Sequence, residues 1–363
     1  MHQEPSGVRI MAYTTIDDPS AHFHIQLYTG NADANAITND ANAGDFAPDL
    51  IWMKNREISA SHGLYDSTRG TGTSKSLKSD QTAAEGDASG NMNLTAFSSD
   101  GFSLGATSGT NQINYADDGH VAWQWKANGG STSSNTSGTI TSTVQADTTA
   151  GFSIITYTGN NTDGATFGHG LGAVPHFITI KGRSVSGNWM TYHTGLGADK
   201  AVFLDLDLAV ESSSFYQETP TSTLVTLNNH GNVNADAGTY VAYCFTSIQG
   251  FSKFGSYTGN GDADGPMVFC GFKPAWLMIK RTDSTNTWYI WDNKRNASNV
   301  CNKELRANTD DAETTTDKLD FLSNGFKIRN TYTSGNADGG TYIYMAFAHQ
   351  PFVSSGEVPC TAR

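Results

Sequence analysis

Two short segments carry a residue pairing that enzymes use for acid–base work. Asp66-Ser-Thr-Arg69 and Asp292-Asn-Lys-Arg295 each set a carboxylate three residues ahead of a guanidinium. Such a carboxylate could accept a proton from a substrate. The alternative is an ion pair or Asx turn that fixes a loop. A catalytic residue need occur only once per site, so recurrence favours the fixing role. Glycoside cleavage needs two carboxylates held on facing strands. The loop acids Asp45, Glu57, Asp100, Glu218 and Asp320 form no recurrent pair. His22-Phe-His24 sets two imidazoles on one side of a strand, which is half a metal site with no third ligand nearby in sequence. The loops Asn260–Gly265 and Asn336–Gly340 look like calcium loops, but the closing Glu of the twelve-residue pattern is missing. There is no Gly-x-Ser-x-Gly elbow, P-loop or dinucleotide fingerprint. On these residues no enzyme, no metal centre and no cofactor is expected.

What positions these residues is a unit that occurs three times. Tyr28-Thr-Gly-Asn31, Tyr157-Thr-Gly-Asn160 and Tyr257-Thr-Gly-Asn260 each follow a Phe-led run, starting at Phe23, Phe152 and Phe251. A Pro-led strand comes next: Pro48–Lys54, Pro175–Lys181 and Pro274–Lys280, with Arg56, Arg183 or Arg281 just beyond. Each unit closes on Val121–Trp125, Val241–Phe245 or Ile343–Phe347. Ser99-Asp-Gly-Phe102 and Ser323-Asn-Gly-Phe326 match, and the middle copy has Asn228-Asn-His-Gly231 in roughly that place. The middle copy also has Tyr192-His-Thr where the others have Asp-x-x-Arg, so it is the divergent member. Landmarks returning in one order mark copies of one folding unit.

The expected fold is all-β: three tandem antiparallel β-sandwich domains of jelly-roll or concanavalin-like type. Short extended runs at roughly 10-residue spacing between turn clusters carry that reading. The boundaries are 1–127, 139–248 and 249–363. Residues 128–138 have Gly/Ser/Thr/Asn linker composition, so a freer joint is expected between the first two copies than between the last two. Ile10–Ile16 reads as a leading strand, mirrored by Ile140–Val144, and Ser298–Asn308 reads as a turn or two of helix. Along the closing strand Val121, Trp123 and Trp125 alternate with smaller or polar residues, which assigns the large ones to the sandwich core. The Pro-led strand is apolar on both faces, so its outer face requires a cover, either a neighbouring unit or another subunit.

The net charge of −13 and the lack of a Lys/Arg cluster count against nucleic acid as a partner. Aromatics at 11% are ample for packed cores and argue against disorder. Cys244, Cys270, Cys301 and Cys360 do not recur with the units and show no zinc spacing, so they read as free thiols. No apolar run is long enough to span a membrane, and the first residues lack a signal-peptide apolar core. Met11 is a candidate start.

Phe23–Asn31, Phe46–Arg56, Asp66–Arg69, Ser99–Phe102 and Val121–Ala127, with their later copies, resemble a repeat domain common in marine tailed-phage virion proteins. The resemblance covers almost the whole chain and is weakest in copy two. It implies a non-enzymatic structural protein on the virion surface, in a tail fibre, spike or capsid decoration. Its implied partners are other virion subunits, with a homo-oligomer expected. It is made in the host cytoplasm and can contribute to host attachment. A lectin-like protein binding host surface glycans is the alternative, with Trp52 and Trp189 as candidate stacking residues. A polysaccharide depolymerase ranks behind both.

Overall fold

A computed structural model describes residues 12–40, 46–86, 90–106, 113–212, 216 and 218–360. The chain is nearly all β, built from antiparallel sheets. Among the described residues the main sheets have four, eight and eight strands, and four strands of each repeat recur in all three. The first repeat supplies β1 (Phe23–Thr29), β2 (Leu50–Asn55), β3 (Gly63–Asp66) and β4 (Gly119–Trp125). The second supplies β5 (Phe152–Thr158), β6 (Phe177–Gly182), β7 (Met190–His193) and β8 (Thr239–Phe245). The third supplies β9 (Ser252–Thr258), β10 (Phe272–Arg281), β11 (Trp288–Asp292) and β12 (Thr341–Pro351).

The same neighbour order returns each time: β1-β4-β2-β3, β5-β8-β6-β7 and β9-β12-β10-β11. Register also returns. Phe23 faces Trp125, Phe152 faces Phe245, and Ser252 faces Phe347. The third copy is thus aligned one residue past Phe251, so Phe254 matches Ile25 and Ile154. A second layer covers one face of each main sheet. In the first repeat it is the three-stranded sheet of Asn35–Thr38, Gly101–Leu104 and Leu94–Ser98. Between the layers lie Ile51, Met53, Tyr65, Phe102 and Ala122.

The other face of each sheet meets the other two sheets. One core holds Leu50, Trp52, Trp123 and Trp125 from the first repeat and Phe177, Trp189, Tyr243 and Phe245 from the second. Trp276, Met278, Met345 and Phe347 of the third complete it. Trp125, Phe245 and Phe347, which hold one position in the three copies, close a triangle with ring centroids 6.3, 5.9 and 5.6 Å apart. Edge-on and tilted contacts of this kind suit aromatic quadrupoles.

Several expectations change. The large closing-strand residues point to this shared centre, while Ala122, Ala242 and Ala346 face the sandwich interiors. Alternation shows that two faces differ; it does not show which cover each face receives. The cover over the Pro-led strands is the neighbouring repeats. Segment 128–138 is not a free joint. The amides of Ala127, Gly129 and Gly130 donate to the Asp49 carboxylate at 2.7–2.9 Å, and Ser133–Asn135 adds an edge strand beside Ser142–Asp147. Residues 12–16 form no strand, and Ile10 and Met11 lie outside the described residues. Cys301–Arg306 is a strand, not helix, paired with Thr314–Leu322. Asn228–Gly231 does not replace the Ser-x-Gly-Phe hairpin. It leads into the short helix Gly231–Asn234, whose counterpart is Thr333–Asn336. The four cysteines carry no disulfide.

A single repeat should not fold alone. Residues 139–248 expressed by themselves would expose Phe152, Ile154, Phe177, Trp189, Tyr243 and Phe245 to water. The expected result is aggregation or a hydrophobic-dye-binding state without a cooperative melt; a sharp unfolding transition for this fragment would contradict the shared core.

Candidate functional site at the seams between repeats

The Tyr-Thr-Gly-Asn motif is a loop lock. Its tyrosine hydroxyls donate to the carbonyls of Ile113, Val233 and Gly335 at 2.6–2.9 Å. The glycine runs against the facing loop, where a Cβ at Gly30, Gly159 or Gly259 would stand 2.0–2.4 Å from a carbonyl oxygen. The motif Asn amide donates to the side-chain oxygen of a second asparagine, Asn114, Asn234 or Asn336. That second asparagine was missed as a landmark although Asn114-Tyr-Ala-Asp, Asn234-Ala-Asp and Asn336-Ala-Asp were there to be aligned. The calcium-like loops are the two halves of this lock, with Asn336 Nδ2 donating to the Asp262 carbonyl at 2.6 Å.

Three sets of donors run from each repeat to the one before it in cyclic order, and a fourth crosses the same seams the opposite way. Lys54, Lys181 and Lys280 end the Pro-led strands with their ammonium groups buried. Their Nζ atoms donate across the seam to the carbonyls of Asp310, Gln81 and Asp207, each at 3.1 Å, and to a near carbonyl at 2.5–2.9 Å. Burial pushes all three down to about 8. Six residues later the amides of Ala60, Gly187 and Asn286 donate to Asp310, Thr82 and Asp207. At the matched position on β3, β7 and β11, or just before it, His62 Nε2, Trp189 Nε1 and Trp288 Nε1 donate to the carbonyls of Arg306, Lys78 and Phe203 at 2.7–2.8 Å. In the reverse sense the amides of Glu85, Val210 and Glu313 donate to Arg183, Thr282 and Arg56 at 2.8–2.9 Å. Head-to-tail contacts that return to their start make a closed ring.

The Asp-x-x-Arg segments lie inside two of the seams. Asp66 Oδ2 accepts from Arg69 Nε and from the Tyr243 hydroxyl of the second repeat, the latter at 2.7 Å. Arg69 also donates to Glu85 at 2.8 Å, and Glu85 accepts from Arg183 of the second repeat at 3.0 Å. Asp292 repeats the pattern. It accepts from Arg295 Nε at 2.6 Å and from Trp123 Nε1 of the first repeat at 3.0 Å. Glu313 joins Arg295 to Arg56 of the first repeat. Burial alone would raise the Glu313 carboxyl; Arg56 and Arg295 outweigh it and hold it below the usual range. A buried charge persists when its partners and hydrogen bonds are complete. These carboxylates therefore hold repeats together across a closed interior.

The third seam departs as a set. His193 stands at the position of Asp66 and Asp292, Leu196 at Arg69 and Arg295, Val210 at Glu85 and Glu313, and Thr282 at Arg56 and Arg183. Facing them, Met345 stands at the position of Tyr243 and Trp123 and has no proton to donate. His193 Nε2 instead donates to the Tyr344 carbonyl at 3.0 Å, while its Nδ1 accepts from the Gly195 amide. Arg281 is one residue out of register and pairs with its neighbour Asp283. The divergence of copy two is thus one coordinated replacement.

Neither Trp52 nor Trp189 can stack on a sugar. They are 5 % and 0 % exposed and lie in the shared core, with the Trp52 indole donating to His62 Nδ1 at 2.8 Å. Large size without a sequence-visible partner made them look available. His22 and His24 are not brought together: His22 meets Asp147 of the second repeat, and His24 lies beside Gln26. Among the described residues, no group of three His, Cys, Asp or Glu side chains is placed to hold a metal. No helix there is long and apolar enough to cross a membrane.

Fold and seams together define the chain as a cyclic assembly of antiparallel β repeats sharing one core. It belongs to the DUF7483 family, a domain of unknown function whose match runs over residues 18–351 and so takes in all three repeats. No curated protein and no solved structure matches the chain.

Two outcomes follow. Tyr243→Phe leaves Asp66 one donor short and should cost about 1–3 kcal/mol in chemical denaturation, whereas Phe or Leu at Met345 should be nearly silent. Burial holds His62 down to about 3 and His193 to about 4, against an ordinary 6.5, with Lys54 adding to the effect on His62. The unfolded chain therefore takes up protons first. Stability should be complete well above pH 6.5 and fall below it, down to about pH 4 for His193 and about pH 3 for His62, by about 2 kcal/mol per histidine at pH 5. A flat denaturation midpoint across that window would refute the seam assignment of these rings.

Proposed function

We propose that this protein is a non-enzymatic structural component of a tailed-phage particle, exposed on its surface in a tail fibre, spike or capsid decoration. It is made in the host cytoplasm and engages other virion subunits. The observation that carries this reading is cyclic closure: one chain builds by itself the kind of ring that three identical subunits would build. The buried Lys, Asp, Arg and Glu groups of the repeats serve that closure, which is a stability role. The resemblance of the repeated landmarks to marine phage virion domains supports the location. Strand Met267–Phe269, at the edge of its sheet, presents Phe269 with 56 % exposure and offers a place for a further subunit or copy to pack. Host attachment through Trp52 or Trp189 is no part of the proposal.

Mass spectrometry of gradient-purified particles should detect the protein at a fixed copy number, and gold-labelled antibody should decorate intact particles. Finding it in the host lysate and never in particles would overturn the proposal.

A further inference from the structure

Where the other two seams are filled by Arg–Glu–Arg bridges, the third has Leu196, Val210 and Thr282. These replacements are shorter and uncharged, and they leave a groove of about 380 Å³ between the second and third repeats. That size falls within the range of small-ligand sites, roughly 300–1,000 Å³. Its walls combine two chemistries. Leu196 and Val210 supply an apolar side from the second repeat, and Ser256, Thr258 and Thr282 supply hydroxyls from the third. Lys200 completes the lining, exposed on the strand Lys200–Phe203, and among the described residues no carboxylate lines the groove. On a chain with a net charge of −13, a groove whose described lining holds one cation and no anion is a distinct feature.

The floor is held in place. Thr282 Oγ1 and Thr341 Oγ1 are 2.7 Å apart, and the Val210 amide donates to the Thr282 carbonyl at 2.8 Å. Tyr257 and Tyr342 border the groove, and their rings, stacked with centroids 4.9 Å apart on the interior side of the third sheet, are tied through their hydroxyls to Gly335 and Thr333. The groove is therefore preorganised, which lowers the cost of ordering on binding.

We propose that this third seam binds an acidic sugar unit, such as a hexuronic acid within a polysaccharide. Its carboxylate faces Lys200, its hydroxyls meet Ser256, Thr258 and Thr282, and its C–H face lies on Leu196 and Val210. The site does not depend on where the protein resides: its failure would leave the particle assignment standing, and the reverse holds.

Ligand-observed saturation-transfer NMR and calorimetry on the full chain, with glucuronic acid and methyl glucoside as probes, test this. Saturation should reach glucuronic acid, which should bind more tightly than the neutral sugar. Lys200→Gln should weaken glucuronic acid by about fivefold, the scale of one exposed ion pair, and leave methyl glucoside unchanged. The double variant Val210→Glu/Thr282→Arg restores the pair found in the other seams and should abolish binding of both probes while the melting transition is kept or raised. Leu196→Trp fills the groove from the other wall and keeps the test readable should the double variant melt early. No transfer to glucuronic acid, equal binding of the two sugars, or full binding by a folded groove-filling variant would each overturn the proposal.

Discussion

A β-sheet that is apolar on both faces needs two covers, and everything else in this molecule follows from that need. The Pro-led strands supply the double face: every residue of Leu50–Asn55 and Phe177–Gly182 is buried. One cover is each repeat's own second layer. The other is the pair of neighbouring sheets, so three sheets that would each expose an aromatic face enclose it together. The hydrophobic gain is collective. No two repeats can close the core, because the triangle of Trp125, Phe245 and Phe347 needs all three corners.

Burial of that face forces a polar problem at its margins. The strands end in Lys54, Lys181 and Lys280, and the seams close over backbone groups that water can no longer reach. Each such group must find a partner. The solution is the same three times: the lysine, an amide and a ring N–H of one repeat donate to carbonyls of the one before it. Where a side-chain donor faces the Asp position, as Tyr243 and Trp123 do, a buried carboxylate and its arginine complete the seam. Where Met345 faces it, the carboxylate is absent and a histidine turns to the backbone instead. A carboxylate retained there would be buried without that donor, which explains why the five positions changed together.

The breaking of symmetry is also where function has room. Two seams are occupied by buried ion pairs. The third keeps the main-chain contacts that close the ring and loses the side chains that plug it. Scaffold and opening are thus separable in this fold, since closure is carried by backbone hydrogen bonds and the shared core.

Much of the architecture was legible in the chain. The Tyr-Thr-Gly-Asn copies, the constant Pro-to-Lys spacing and the period-two closing strands gave the repeat, the all-β class and several of its strands. The double apolar face of the Pro-led strand announced a missing cover. These are local properties, set by backbone period and by the volume of successive side chains. Tertiary structure alone decided what lies against each face. Trp123 and Trp125 went to the common centre, Trp52 and Trp189 were buried where a sugar cannot reach, and Asp66 found its partner in Tyr243, 177 residues away. The reason is physical: alternation distinguishes one side of a strand from the other, but hydrogen-bond partners and burial depend on which sheet arrives from a distant part of the chain, and no spacing within a single repeat encodes that.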